Sequence, residues 1–249
     1  MLNIIGAGLR GVKSLTNEEI EALRSSDIVY IDRYTSIPPD NFTIDLQSIL
    51  SVPVKEAWRE FVEGGNIVEE SSTKNISFVV TGDALSATTH NEMRIEAIQR
   101  GIKVNVFENA SVLNAVIGKI GLFHYKCGPP VSIPEISKNF YPISVIDKIY
   151  RNFKNGMHSI LLIDLKNGQN IPFEDVRNTL ERMQKDRNID ILSNSIIVAS
   201  RLSFPDERLI YGDIEEINPK DVLSPYLIVV PSSMDENERR FVESFCSKI

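Results

Sequence analysis

Short runs of aliphatic and β-branched residues alternate with segments of helical period along most of this chain, the pattern of an α/β protein. Leu2-Asn3-Ile4-Ile5 opens as a buried strand that ends in glycines. Thr16-Asn17-Glu18-Glu19 has capping-box spacing, and the helix it starts turns Ile20, Ala22 and Leu23 towards a core. Ile28–Ile31 and Ile76–Val80 read as strands, with a poorly patterned, partly helical stretch from Pro38 to Thr73 between them. A second capping box, Thr89-His90-Asn91-Glu92, predicts a helix through Gln99 that Gly101 ends, followed by a strand over Ile102–Phe107. After Ala110 the pattern softens, and Gly118, Gly121 and Gly128-Pro129-Pro130 mark a passage between domains.

The second half repeats the alternation. Val145–Phe153 and Phe173–Met183 read as helices, and Ser159–Asp164, Ser195–Ser200, Arg208–Ile214 and Tyr226–Val230 as strands. A charged helix from Glu236 to Phe245 follows. The chain thus divides into two α/β domains, 1–120 and 121–249.

Composition narrows the function. A net charge of −7 argues against direct nucleic-acid binding, which needs a basic face to neutralise phosphates. The two cysteines, Cys127 and Cys246, lie far apart and outside any Cys/His cluster, so neither a disulfide framework nor a metal site is expected. The amino terminus lacks the pattern of a signal peptide, and no apolar run approaches the ~20 residues that span a bilayer. A cytoplasmic location, away from membranes, is the expectation.

Gly6-Ala7-Gly8-Leu9-Arg10-Gly11 fits a GxGxxG pattern after a strand, with Asp27 and Asp32 where a dinucleotide fold would carry its ribose-binding acid. That reading requires the helix to open at the glycines, so that its first amides face the pyrophosphate. The capping box instead delays the helix to Thr16. The glycines then make either a tight strand exit or a backbone that another ligand can approach.

The opening Ile4-Ile5-Gly6-Ala7-Gly8-Leu9, with Leu15-Thr16 and the helix around Ile20–Leu23, resembles the start of the tetrapyrrole methylase superfamily. Five further segments resemble its diphthine synthase family. They are Tyr34-Thr35-Ser36; Gly82-Asp83 with Ala87-Thr88-Thr89-His90; Asn109-Ala110-Ser111 with Asn114-Ala115; Tyr125-Lys126-Cys127-Gly128; and Asn155-Gly156-Met157-His158 with Asp164-Leu165-Lys166. They keep the family's order and close to its spacing over essentially the whole chain. The resemblance implies two α/β domains of tetrapyrrole methylase type with the cofactor cleft between them. It implies an S-adenosylmethionine-dependent enzyme that methylates the amino group of a 3-amino-3-carboxypropyl-histidine on elongation factor 2, and a homodimer. By position, donor contacts would come from Leu9, Asp83, Ser86, Ser111, Val112, Ile163, Leu202 and Tyr226. The rivals are a precorrin-type tetrapyrrole methyltransferase and a non-catalytic relative that binds donor or partner.

At these positions simple structural roles stand beside the functional ones. Asp83 either receives donor hydroxyls or amines, or fixes the turn after Gly82; Ser111 is either a ligand contact or a plain N-cap. His90 reads as part of the helix start, His124 as packed, and His158 as a fixing hydrogen bond. No side chain is identified as the base. Three positions depart from the family: Ala84 stands where proline is usual, Ser203 where glycine is usual, and Tyr226 where a histidine is usual.

Overall fold

The computed structural model describes residues 1–137, 140–166, 168–193 and 195–248. The chain forms two compact units, Met1–Val112 and Leu113–Ile249. Residue 120, where the sequence pattern places the boundary, is the last residue of a helix.

Unit 1 is built from β1 (Leu2–Gly6), α1 (Asn17–Arg24), β2 (Ile28–Asp32), α2 (Phe42–Ile49), β3 (Val54–Ala57), α3 (Arg59–Glu63), α4 (Asn66–Ser71), β4 (Ile76–Val80), α5 (His90–Gln99) and β5 (Val104–Phe107). The strands form one parallel sheet in the order β3-β2-β4-β1-β5. β1 and β4 are fully buried, which is why both read as unbroken apolar runs. Alternate side chains feed two cores. Ile5, Val29, Ile31 and Val79 pack with Leu23, Phe42 and Leu46 of α1 and α2 on one face. Leu2, Ile4, Phe78 and Val80 pack with Ile67, Met93 and Ala97 of α4 and α5 on the other. The chain therefore leaves the adjacent strands β1 and β4 for opposite faces, the arrangement that puts ligands at the carboxyl ends of an α/β sheet.

α6 (Val112–Ile120) starts on the last residue of unit 1 and continues into unit 2, which holds β6 (Val131–Ile133), α7 (Ser144–Lys154), β7 (Ser159–Ile163), β8 (Leu165–Lys166), β9 (Gln169–Asn170), α8 (Phe173–Arg187), β10 (Ile196–Ser200), β11 (Arg208–Gly212), β12 (Tyr226–Val230), α9 (Glu236–Phe245) and β13 (Ser247–Lys248). Its mixed sheet runs β13-β11-β10-β12-β7-β6, and β8 with β9 makes a separate hairpin. Leu161, Val198 and Ile228 pack against Ile146 and Ile149 of α7 and Val176 and Leu180 of α8.

The first capping box forms as expected: Thr16 Oγ1 accepts from the Glu19 amide at 3.2 Å and Glu19 Oε2 from the Thr16 amide at 2.6 Å. The second does not. Thr89 sits at φ −93°, ψ 7°, too helical for its hydroxyl to turn back on the first turn, and it makes no side-chain cap. The helix it precedes nevertheless spans His90–Gln99, and Gly101 leaves it at φ +72°. A box that the sequence did not flag, Asp235 with Glu238, starts α9. The short edge strands β3 and β6 escaped the sequence reading, since three or four residues carry too little alternation. The softened pattern after Ala110 is in fact α6.

Candidate functional site

Three loops meet at the carboxyl edge of the unit 1 sheet. After β1, the Ala7 amide donates to Val80 O at 2.7 Å, and Gly8 and Gly82 exchange both backbone hydrogen bonds, at 3.0 and 2.8 Å. A methyl group on Gly6 would lie 2.8 Å from Gly82 O and 2.9 Å from the Ala84 amide. The glycine motif thus lets the β1 and β4 loops touch. Its amides are engaged there, and α1 starts only at Asn17, so the dinucleotide reading is excluded. Glycine is required at position 8 for a further reason: its φ is +61°, a conformation that L side chains rarely adopt.

Asn109, which follows β5, ties the third loop to the other two. Its Nδ2 donates to Gly6 O at 3.0 Å, Ser14 O at 3.1 Å and Glu19 Oε1 at 3.2 Å, while its amide donates to Asp83 Oδ2 at 3.3 Å. The sequence reading placed Asn109 in a motif but assigned it no role. Its weight comes from carbonyls brought close only by folding.

Asp83, half-buried, accepts from the Leu85 amide at 3.1 Å and Ser86 Oγ at 2.8 Å. Burial pushes its carboxyl up, but the hydrogen bonds from Ser86, Leu85 and Asn109 outweigh this and leave it below its ordinary value. It is an anion that also fixes its own turn. Ser86 is exposed, Leu9 half-buried and Ser111 buried immediately before Val112, the first residue of α6. A methyl group on Gly82 would meet only Ala110 O, at 3.9 Å, so the backbone there offers an open face. Ala84, in place of proline, is fully buried.

In unit 2, Ile163 ends β7 within the core, and Leu202 is buried two residues past β10. Tyr226 opens β12 with its side chain engaged: the hydroxyl donates to Ile171 O at 2.6 Å and the ring stands edge-on to Phe173. Burial pushes its phenol well above the ordinary value. Ser203 sits at φ +70°, the strained conformation that the usual glycine would adopt without cost. A cavity of about 590 Å³ lies between the segment after β6 and α8, lined by Ile133, Tyr141, Lys166, Ile171, Asp175 and Arg182. It holds none of the sequence-assigned residues.

One histidine differs from the sequence reading: His124 is exposed, not packed. His90 opens α5, at the helix start where the sequence pattern puts it, and its ring is buried against Phe78. His158 is a fixing residue as expected: its Nδ1 accepts from the Ser232 amide at 3.0 Å and its Nε2 donates to Glu238 at 3.1 Å. Among the described residues no His/Cys/Asp/Glu cluster could hold a metal.

A parallel sheet whose carboxyl-edge loops converge on an anion and a tight glycine turn, joined to a mixed-sheet unit, defines the class. The chain belongs to the tetrapyrrole (corrin/porphyrin) methylases, whose family model matches residues 1–218, and within them to the diphthine synthases. It is an S-adenosylmethionine-dependent methyltransferase. It is 47% identical over 249 residues to the diphthine synthase of Thermoplasma acidophilum, covering 100% of this chain and 97% of that one. The diphthine methyl ester synthase of Aspergillus fumigatus is 29% identical over 269 residues, covering 98% and 93%. A crystal structure described as a candidate diphthine synthase from Entamoeba histolytica superposes with a TM-score of 0.88 at 28% identity, covering 100% and 99%.

Proposed function

We propose that this methyltransferase acts on the amino group of the 3-amino-3-carboxypropyl-histidine of elongation factor 2, the step of diphthamide biosynthesis that produces diphthine. The observation that carries the proposal is the likeness to the Thermoplasma acidophilum diphthine synthase along the full length of both chains. No matching segment stands alone.

The residues of unit 1 fit the methyl donor. Asp83 is an anion in a half-buried turn, suited to donor hydroxyl or amino groups, and Ser86 adds a hydroxyl beside it. Leu9 offers an apolar contact, and Ser111 and Val112 stand at a helix start, where amides favour a carboxylate. In unit 2 the proposed contacts are apolar, from Ile163 and Leu202. Tyr226 has its hydroxyl already paired, so its contribution is shape. The donor supplies an activated methyl group on sulfur, so alignment carries much of the rate. Holding acceptor and donor in line contributes up to ~7–11 kcal/mol.

Radiolabel transfer from S-adenosylmethionine to elongation factor 2 bearing the aminocarboxypropyl histidine tests the proposal. Label is expected on the modified factor and absent from the unmodified one; label on both, or on neither, sinks it. The mass of the product peptide counts the methyl groups and separates methylation of the amine alone from the additional ester named for the Aspergillus fumigatus relative. Uptake of a porphyrinoid instead would return the protein to the precorrin class. The enzyme is further proposed to work as a cytoplasmic homodimer, which light scattering checks. Among the described residues no helix is long and apolar enough to cross a membrane.

A further inference from the structure

His90 carries an observation that donor binding does not use. Its Nδ1 lies 3.1 Å from the carbonyl oxygen of Ala84. A carbonyl only accepts, so Nδ1 holds the hydrogen and, in the neutral ring, Nε2 presents a bare lone pair. Nε2 is buried and has no hydrogen-bond partner among the described residues, and the ring is 1% exposed. Thr81 Oγ1 and Thr88 Oγ1, in the same loop after β4, also lack partners. Buried polar groups are ordinarily paired, so three such atoms between the end of β4 and the first turn of α5 point to a ligand, and the bare Nε2 lone pair asks for a group that donates a hydrogen bond.

The charge around them points the same way. Asp32, at the carboxyl end of β2 beside β4, is fully buried. It is held by the amides of Tyr34 at 2.9 Å and Thr35 at 3.1 Å, and by the hydroxyls of Thr35 and Ser36. Ser36 Oγ in turn accepts from the Thr81 amide at 3.3 Å, which joins the β2 turn to the β4 loop. Burial lowers the basicity of His90, and the Asp32 charge opposes that. The ring therefore stays neutral near pH 7, yet a cation formed there has a carboxylate to stabilise it. The other groups against the ring, Phe78 of β4 and the Ala84 carbonyl, carry no charge.

The reaction needs such a group. An alkylamine is mostly protonated at neutral pH and attacks only as the free base. We propose that His90, backed by Asp32, accepts the proton of the substrate ammonium, with the hydroxyls of Thr81 and Thr88 lining the approach. This rests on the amine-methylating reading above. The N–H bond of the ammonium breaks with its electron pair left on nitrogen. A new Nε2–H bond forms, and His90 becomes an imidazolium that later returns the proton to water. The freed pair is the nucleophile, and each further methylation repeats the step while an N–H remains.

The test compares wild type with His90→Gln and His90→Phe on modified elongation factor 2 from pH 6 to pH 10. Thermal unfolding and S-adenosylmethionine binding serve as checks on folding. Wild-type kcat/KM should rise and level below the ordinary range of an alkylamine. Both variants should lose about 10²–10⁴-fold at pH 7 and climb towards wild type as the medium deprotonates the amine. A loss of equal size at every pH, or no loss, overturns the proposal. Nitrogen-15 NMR of the wild-type histidines gives a check free of variants: a hydrogen on Nε2 of neutral His90 overturns it as well. If wild type does not methylate the factor at all, the functional reading fails; if it does and the variants keep its pH profile, only this inference fails.

Discussion

Replacing Glu238 puts a number on the buried network that anchors α9. Glu238 is fully buried at the third position of the helix. Its Oε1 accepts from the Phe123 amide and His158 Nε2, both at 3.1 Å, and its Oε2 from the Asp235 amide at 3.2 Å and from Lys126 Nζ. Glu238→Ala leaves a lysine, an imidazole N–H and two amides without their acceptor. Lys126 is one-fifth exposed and can turn to water, so the loss is smaller than the four bonds summed. Breaking one side of a buried ion pair costs about 3–5 kcal/mol, and the figure here is about 4. At about 2–4 °C per kcal/mol in a chain of this size, Tm should fall by about 8–16 °C in calorimetry. Glu238→Gln keeps the shape but places an amide N–H against donors, and should lose about half as much. Burial pushes the Glu238 carboxyl up, but the hydrogen bonds from Lys126, Phe123, His158 and Asp235 hold it below its ordinary value. Its stabilisation is therefore complete above the unfolded value of about 4.3 and is lost as pH falls through the depressed folded one. The gap between wild type and Glu238→Gln should narrow below pH 4. A Glu238→Ala protein melting within 3 °C of wild type would refute the estimate drawn from ~4 kcal/mol.

Other substitutions probe the strained and tight positions. Gly8→Ala forces a side chain at φ +61° and sets its methyl 2.7 Å from Asn109 Oδ1 and Ser14 Cβ; about 3 kcal/mol should be lost, read by denaturant unfolding. Ser203→Gly relieves φ +70° at the cost of a more flexible unfolded chain, so a net gain of about 0.5–1 kcal/mol is expected, and a lower Tm would contradict it. Asn109→Ala removes the side-chain bonds that tie the β5 loop to the β1 loop, while the backbone bond to Asp83 remains, and should cost about 2 kcal/mol and weaken S-adenosylmethionine binding about tenfold in calorimetric titration. His158 is held neutral by burial against the pull of Glu238, so its folded value lies below the ordinary one. Stability from this group is full above about pH 6.5 and declines as pH falls, which a series of melts in His158→Gln should flatten.

The sequence alone determined the architecture, because fully buried strands such as Leu2–Gly6 and Ile76–Val80 leave apolar runs that nothing else explains. It also located the first capping box, where both partners lie within one turn of chain, and the family, whose motifs are short and ordered. Tertiary structure decided the rest. Thr89 carries the letters of a capping box, but its backbone conformation prevents the bond. The glycine motif looks like a phosphate cradle until Gly82 arrives from a distant part of the chain and takes its hydrogen bonds. Asn109, Glu238 and His90 owe their importance to partners up to 115 positions away in the chain, or, for the Nε2 of His90, to the lack of one. Local pattern is written in neighbouring residues. Which polar atoms end up paired depends on contacts that exist only once the chain has folded.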